Sequence, residues 1–197
     1  MTKINCVGDI CPVPVIKTKK AIAGADISQG LTVIVDNEIA VQNISKFLNS
    51  VKCQYSIGQD GQNFLITIEP INNENCGLDP QPARQAKSTV VVISSQFMGN
   101  GDHALGKLLM NGFIFAISQS DILPAAIIFY NSGVHHVLKN SDSVKDLQAM
   151  CEQGVKILSC GTCLSHYQVI DDLAVGEVTD MYNIVTLMQQ AKSIIRP

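Results

Sequence analysis

The stretch "GDICPVPVIKTKKAI", residues 8–22, decides how the first third of the chain folds, because helical periodicity begins in it directly after a short strand. Residues 2–6 ("TKINC") read as that strand, ending in a Gly-Asp turn. Val15, Ile16, Lys19, Ala21, Ile22 and Ala23 then recur within one to two helical turns, and Gly24 offers a C-cap. Pro12 fits the first helical position, where a missing N–H leaves nothing unpaired. That placement makes Cys11 the N-cap, with its sulfur toward free amides and the positive end of the helix dipole. Both favour thiolate over thiol. Pro14 falls on the same first turn at no cost in intrahelical bonds, and Lys17, Lys19 and Lys20 add positive potential nearby. The other reading of Cys11 is a small buried residue beside a plain helix start.

Outward from this helix, "LTVIVD" (31–36) is a β-branched strand, and Asn37 caps a second helix with apolar face Ile39, Ala40, Ile44, Phe47 and Leu48. "KCQYSIG" and "QNFLITIE" alternate around the Asp-Gly turn of "QDGQ" and read as a hairpin. The order βαβαββ predicts a two-layer α+β sandwich over residues 1–70, with helices on one face of a mixed sheet. Residues 71–87, within "PINNENCGLDPQPARQAK", are poor in apolar residues and rich in proline and asparagine, the composition of a linker.

A second domain is expected over 88–197. "STVVVISS" opens it as a buried strand, "GDHALGKLLMNGFIFAIS" follows as a helix, and "AAIIFYN" is the next strand. "SVKDLQAMCEQG" is a helix capped by Ser141 or Asp142 and stopped at Gly154, "VKILSC" a third strand, "TDMYNIVTLMQQAK" a last helix and "SIIR" a closing strand. This alternation predicts a three-layer α/β domain on a parallel, doubly wound sheet. The fold class of the whole chain is therefore α/β.

Composition narrows the function. The chain has 197 residues with net charge −3 and no tryptophan, which argues against a nucleic-acid binder. Its longest apolar runs are too short to span a bilayer, and the start lacks an apolar signal segment. Seven cysteines in such a chain are expected as reduced thiols in the cytoplasm.

The second concentration of chemistry is "VKILSCGTCLSHY". Cys160 and Cys163 follow a buried strand, and parallel sheets bind ligands at the carboxyl ends of their strands. A Cys-x-x-Cys there hosts a thiolate and a resolving thiol; the first sulfur, Cys160, is expected to be exposed and attacking, with Cys163 its resolver and His166 a supporting base. Zinc on Cys160, Cys163, His166 and either Cys151 or Cys76 is a rival, as is a purely structural pair. The glycine-rich "SSQFMGNGDHALG" enters a helix as anion-cradling loops do, but lacks the Walker and dinucleotide patterns. Asp102 reads first as that helix's cap and second as a site residue. His135 and His136 also fall past a strand's carboxyl end.

Gly8, Cys11, Pro12 and Pro14, in the pattern glycine, two residues, Cys-Pro-x-Pro within βαβαββ, closely resemble the TusA-type sulfur carriers of the SirA-like family. The resemblance covers residues 3–69 and implies a persulfide on Cys11, with Gly8, Pro12 and Pro14 shaping the loop. That family commonly has an aspartate where this chain has Asn5. Cys6 is an unusual neighbour, either a resolving thiol for Cys11 or a core residue at the strand end. The second half resembles the DsrE-like sulfurtransferase fold, and the combination resembles the YedF family, which is tied to selenium metabolism and implies a bacterial cytoplasmic setting. The resemblance implies chalcogen sites at Cys11 and at Cys160 or Cys163, no metal or organic cofactor, and persulfide donor and acceptor proteins as partners. A homo-oligomer stays open. The competing reading is a non-catalytic anion- or partner-binding module with structural or redox-sensing cysteines.

Overall fold

Leu31, Val33 and Val35 are all fully buried, because a strand's pleat sends alternate side chains to one face. Around that row the first of two units is built in the computed structural model, which describes residues 2–10, 12–24, 29–70 and 89–197. The units are Met1–Pro82 and Ala83–Pro197. Cys11, Cys76 and the linker expected over 71–87 lie outside the described residues.

The first unit runs β1 (Thr2–Asn5), α1 (Val13–Gly24), β2 (Leu31–Val35), α2 (Glu38–Ser50), β3 (Tyr55–Asp60) and β4 (Asn63–Ile68). The sheet order is β1-β2-β4-β3; β1 and β2 are parallel, and β4 is antiparallel to both its neighbours. Leu31, Val33, Val35, Ile66 and Ile68 meet Ile22, Ala40, Ile44 and Leu48 in one core, so both helices cover the same face. This is the expected two-layer sandwich.

Three local details differ from expectation. The first helix starts at Val13, and Ile10–Val13 closes as an i→i+3 turn, the Val13 N–H donating to the Ile10 carbonyl at 2.9 Å. Ile39 is 67% exposed, because the buried row Ala40, Ile44, Leu48 keeps a four-residue step and leaves Ile39 about a quarter-turn off it. The hairpin pairs Asp60 with Asn63, so its two-residue loop is Gly61-Gln62, one residue later than the Asp-Gly reading. Gly61 takes φ +62 and Gln62 does not turn positive, the pattern of a type II′ hairpin.

The second unit runs β5 (Thr89–Ile93), α3 (His103–Ser118), β6 (Ala126–Phe129), a 3-10 turn (Asn131–Val137), α4 (Val144–Glu152), β7 (Lys156–Cys160), α5 (Gly161–His166), β8 (Glu177–Thr179), α6 (Met181–Gln190) and β9 (Ser193–Ile195). All neighbours in the order β8-β7-β6-β5-β9 are parallel. Val91 and Ile93 pack with Met110, Ile114, Leu147 and Met150 of α3 and α4, whereas Val90 and Val92 pack with Ile184 of α6. The sheet is covered on both faces, giving the expected three layers. The sequence reading missed β8, a three-residue edge strand. It enters register with β7 through Gly176 at φ +83, where a Cβ would collide with the Ile157 carbonyl.

Asp102 caps α3, its Oδ1 accepting the Leu105 N–H at 2.8 Å. The expected cap of α4 is corrected from Ser141 or Asp142 to Ser143, which makes no side-chain capping bond: its backbone is already helical (φ −82, ψ −11) rather than extended as at a capping residue, and its hydroxyl donates to Asn111 Oδ1. Among the described residues no helix is long and apolar enough to cross a membrane.

Candidate functional site

In the first unit the segment leading to Cys11 is fixed by side chains at three points. Asn5 Oδ1 accepts the Val7 N–H at 3.0 Å, Asp36 Oδ2 accepts the Gly8 N–H at 2.8 Å, and Asp9 Oδ2 meets Lys17 Nζ at 2.6 Å. Gly8 stands at φ +80, a left-handed conformation that suits glycine. The Asn37 side-chain amide, and after it the Gly8 N–H, hold the Asp36 carboxyl below its ordinary pKa. Lys17 is raised by its bond to Asp9, so its charge is paired rather than contributed freely to the helix start. Pro12 precedes the helix and Pro14 is buried in its first turn. A cavity of about 320 Å³ borders this segment, lined by Gly8, Ile10, Pro14, Asp36 and Ile39 among others.

Cys6 is 1% exposed and packs in the core. Burial, with the Asp9 carboxylate second, pushes its thiol up to about 11. These facts favour the core reading of Cys6 over the resolving one.

In the second unit β7 ends at Cys160, which is also the residue before α5. Its side chain shares the α6 face of the sheet and is 2% exposed. Cys163, inside α5, is only partly buried and touches the cores on both faces. The expected order of exposure is therefore reversed: the strand's pleat, continued through Cys160, buries the first sulfur and leaves the second accessible.

The surroundings of Cys163 come from the neighbouring strand. After β6, Asn131 adopts φ +50 and its backbone N–H donates to Cys163 Sγ at 3.0 Å. The Tyr167 hydroxyl donates to Asn131 Oδ1 at 3.0 Å. Burial and the Cys160 thiol raise the Cys163 pKa, while the Asn131 N–H lowers it; the net direction is upward. The His135 ring meets Tyr167 edge-on with centroids 4.8 Å apart. His166 is exposed, and its ring contact is with Tyr167 at 5.1 Å. Nothing brings its ring to either sulfur, so the geometry gives no contact for a supporting base. Among the described residues no three or more His, Cys, Asp or Glu side chains converge as a metal would need.

Sequence reading missed Asn131 and Tyr167. The signal was present in "YNSG": asparagine tolerates left-handed backbone, and Gly133 follows where a Cβ would collide with the Ile93 carbonyl.

These two folds, each with a cysteine beside a strand end or helix start, define a fusion of a small sandwich and a parallel α/β domain. Residues 2–69 match the family model described as sulfurtransferase TusA, and residues 87–197 match the DsrE/DsrF-like family. The chain belongs to the DsrE/DsrF-like family, with a TusA domain fused ahead of it. A protein of Methanocaldococcus jannaschii named as a candidate sulfur carrier is 47% identical over 47 residues, 24% of this chain. The match spans 63% of that relative's length. Among solved structures, the SirA-like protein of Desulfitobacterium hafniense is 36% identical, covering 34% of this chain and 95% of its own, with TM-score 0.32. A Methanobacterium thermoautotrophicum protein of unknown function is 21% identical, covering 55% and 97%, with TM-score 0.42.

Proposed function

We propose that the chain is a persulfide carrier and transferase, with domains at 1–70 and 88–197 joined by residues 71–87, in which Cys11 and Cys163 exchange sulfane sulfur. The setting proposed is the bacterial cytoplasm, with persulfide-bearing proteins as donor and thiol proteins as acceptor. Selenium in place of sulfur, the YedF-type role, follows the same chemistry. The observation that carries the reading is the accessible Cys163 sulfur at the carboxyl end of β7, bonded by the Asn131 N–H, with Cys160 buried behind it. The two family matches support it.

In the transfer, the Cys163 thiolate attacks the outer sulfur of the Cys11 persulfide. A new S–S bond forms on Cys163, the old one breaks, and the electron pair leaves on Cys11 Sγ, so no oxidant is consumed. An acceptor thiolate then attacks the outer sulfur of the Cys163 persulfide; the new S–S bond forms on the acceptor, the Cys163 S–S bond breaks, and the electron pair returns to Cys163 Sγ, so both cysteines end as thiols. The reversed exposure supports Cys163, in place of Cys160, as the proposed attacking thiol.

The raised Cys163 pKa favours a second reading, a redox-sensing pair that rests as thiols. Incubating the full chain with a persulfide donor and mapping added sulfur by peptide mass separates them. Transfer predicts sulfur on Cys11 and Cys163. A Cys160–Cys163 disulfide formed without any sulfur addition would support the sensor instead.

A further inference from the structure

We propose that α3 is a self-association surface: a second copy of this chain lays its own α3 antiparallel along the stripe Leu105, Leu109, Gly112 and Ala116. The proposal is independent of the sulfur-transfer reading. It starts from the composition of the helix, "HALGKLLMNGFIFAIS", whose 16 residues include one lysine, Lys107, and no Asp, Glu or Arg. A helix that is apolar on all sides is ordinarily covered on all sides. One side of α3 is covered by its own unit, since Met110 and Ile114 are buried in one core with Val91, Ile93 and Ile127.

The other side is open. Asn111 marks the flank beside α4: its side-chain amide donates to Asp142 Oδ2 at 3.4 Å, and its Oδ1 accepts from the Ser143 hydroxyl. Lys107, one turn earlier, shares that flank. The helical period then puts Leu105, Leu109, Gly112 and Ala116 on the far flank, away from α4. Leu105 is 54% exposed and Leu109 45%, with Leu108 beside them at 50%. In the sheet beneath, Ile195 of the edge strand β9 pairs with Val91, so its side chain emerges on the α3 face, yet it is 43% exposed. Among the described residues the helix layer therefore stops short of β9.

The order of residues along the stripe selects the occupant. Steps of four, three and four residues keep it on one helix face, and it runs large, large, small, small. Reversed about a two-fold axis, Leu105 meets Ala116 of the second copy and Leu109 meets Gly112. Each contact then occurs twice, as an isologous interface requires. The leucines fill the space that glycine and alanine leave, which lets the two helices pack ridge into groove. The size also agrees. The helix is about 24 Å long and about 10–12 Å across, so its uncharged arc presents on the order of 400 Å². That is comparable with the apolar core of an interface taking about 800 Å² from each partner. A lipid surface fits less well, because helices that lie on membranes are rich in Lys and Arg along their polar face, and α3 has one lysine.

The test is sedimentation velocity of the full chain from about 1 to about 100 μM, where a reversible dimer is expected. Leu109→Glu, at an exposed position, should raise the dissociation constant at least about tenfold, because it buries two like charges near the two-fold axis. Gly112→Leu should do the same by overfilling the contact, while its gain in helix propensity keeps the monomer folded, as far-UV circular dichroism would check. Combining Gly112→Leu with Leu109→Ala restores a large residue opposite a small one and should recover the dimer. A dimer indifferent to both single variants, or a double variant no tighter than Gly112→Leu alone, would overturn the proposal. So would a chain that stays monomeric at about 100 μM. In that case a thermal midpoint lowered by Leu109→Glu would assign the stripe to another part of the same chain, and an unchanged midpoint would leave it bare.

Discussion

Cys6 and Cys163 are both thiols raised by burial, yet one sits in a closed core and the other at an open strand end. For Cys6 the consequence is thermodynamic. Its folded pKa of about 11 exceeds the ordinary thiol value, so the folded state keeps a proton that the unfolded chain loses. The stability this contributes is complete below the unfolded pKa and disappears as pH climbs through the folded one. Urea unfolding should show a loss of up to about 2–3 kcal/mol between about pH 8 and pH 11, and Cys6→Ala should remove most of that alkaline slope. For Cys163 the consequence is kinetic. Its alkylation should keep accelerating with pH beyond the range of a free thiol, because only the thiolate reacts. Tyr167→Phe removes the hydroxyl that holds Asn131, and with it the alignment of the N–H on the sulfur. Alkylation of Cys163 near neutral pH should then slow by about two- to tenfold; an unchanged rate would mean that Tyr167 does not position Asn131.

Capping separates what the sequence reveals about elements from what it conceals. Asn37 and Asp102 cap α2 and α3 as expected, because a cap is a bond to an amide three residues on. Asp102→Ala should destabilise the second unit by about 1 kcal/mol, measured by thermal or urea unfolding. For α4 the same reasoning pointed to Ser141 or Asp142, whereas the cap position falls on Ser143, whose helical backbone makes no side-chain capping bond and whose hydroxyl donates to Asn111, thirty-two residues away in sequence. The expected order of exposure of Cys160 and Cys163 failed for a different reason. Helix-start logic makes the first sulfur the exposed one, but here Cys160 is still in the strand, and its pleat turns it toward α6. The site around Cys163 needs Asn131 from another strand, and that juxtaposition depends on β6 and β7 being neighbours.

Across the whole chain, the layer architecture was legible because apolar periodicity follows from which faces are buried: βαβαββ gave the sandwich, and alternating strands and helices gave the parallel sheet. The edge strand β8 was not, since three residues carry too little periodicity to register. Sulfur transfer between the two halves is the central proposal. The 17 residues from Ile71 to Lys87 can span at most ~55–60 Å, and carrying both thiols on one chain raises the effective concentration of one near the other. Transfer between chains of a homo-oligomer would use the same two cysteines.

The most direct measurement is a time course of labelled sulfane sulfur on the full chain, read by peptide mass in the wild type and in Cys11→Ser and Cys163→Ser variants. Label should appear on Cys11 first and then on Cys163, accumulate on Cys11 in Cys163→Ser, and fail to reach Cys163 in Cys11→Ser. Equal loading of Cys163 with and without Cys11 would contradict the relay and leave two independent thiol sites on one chain.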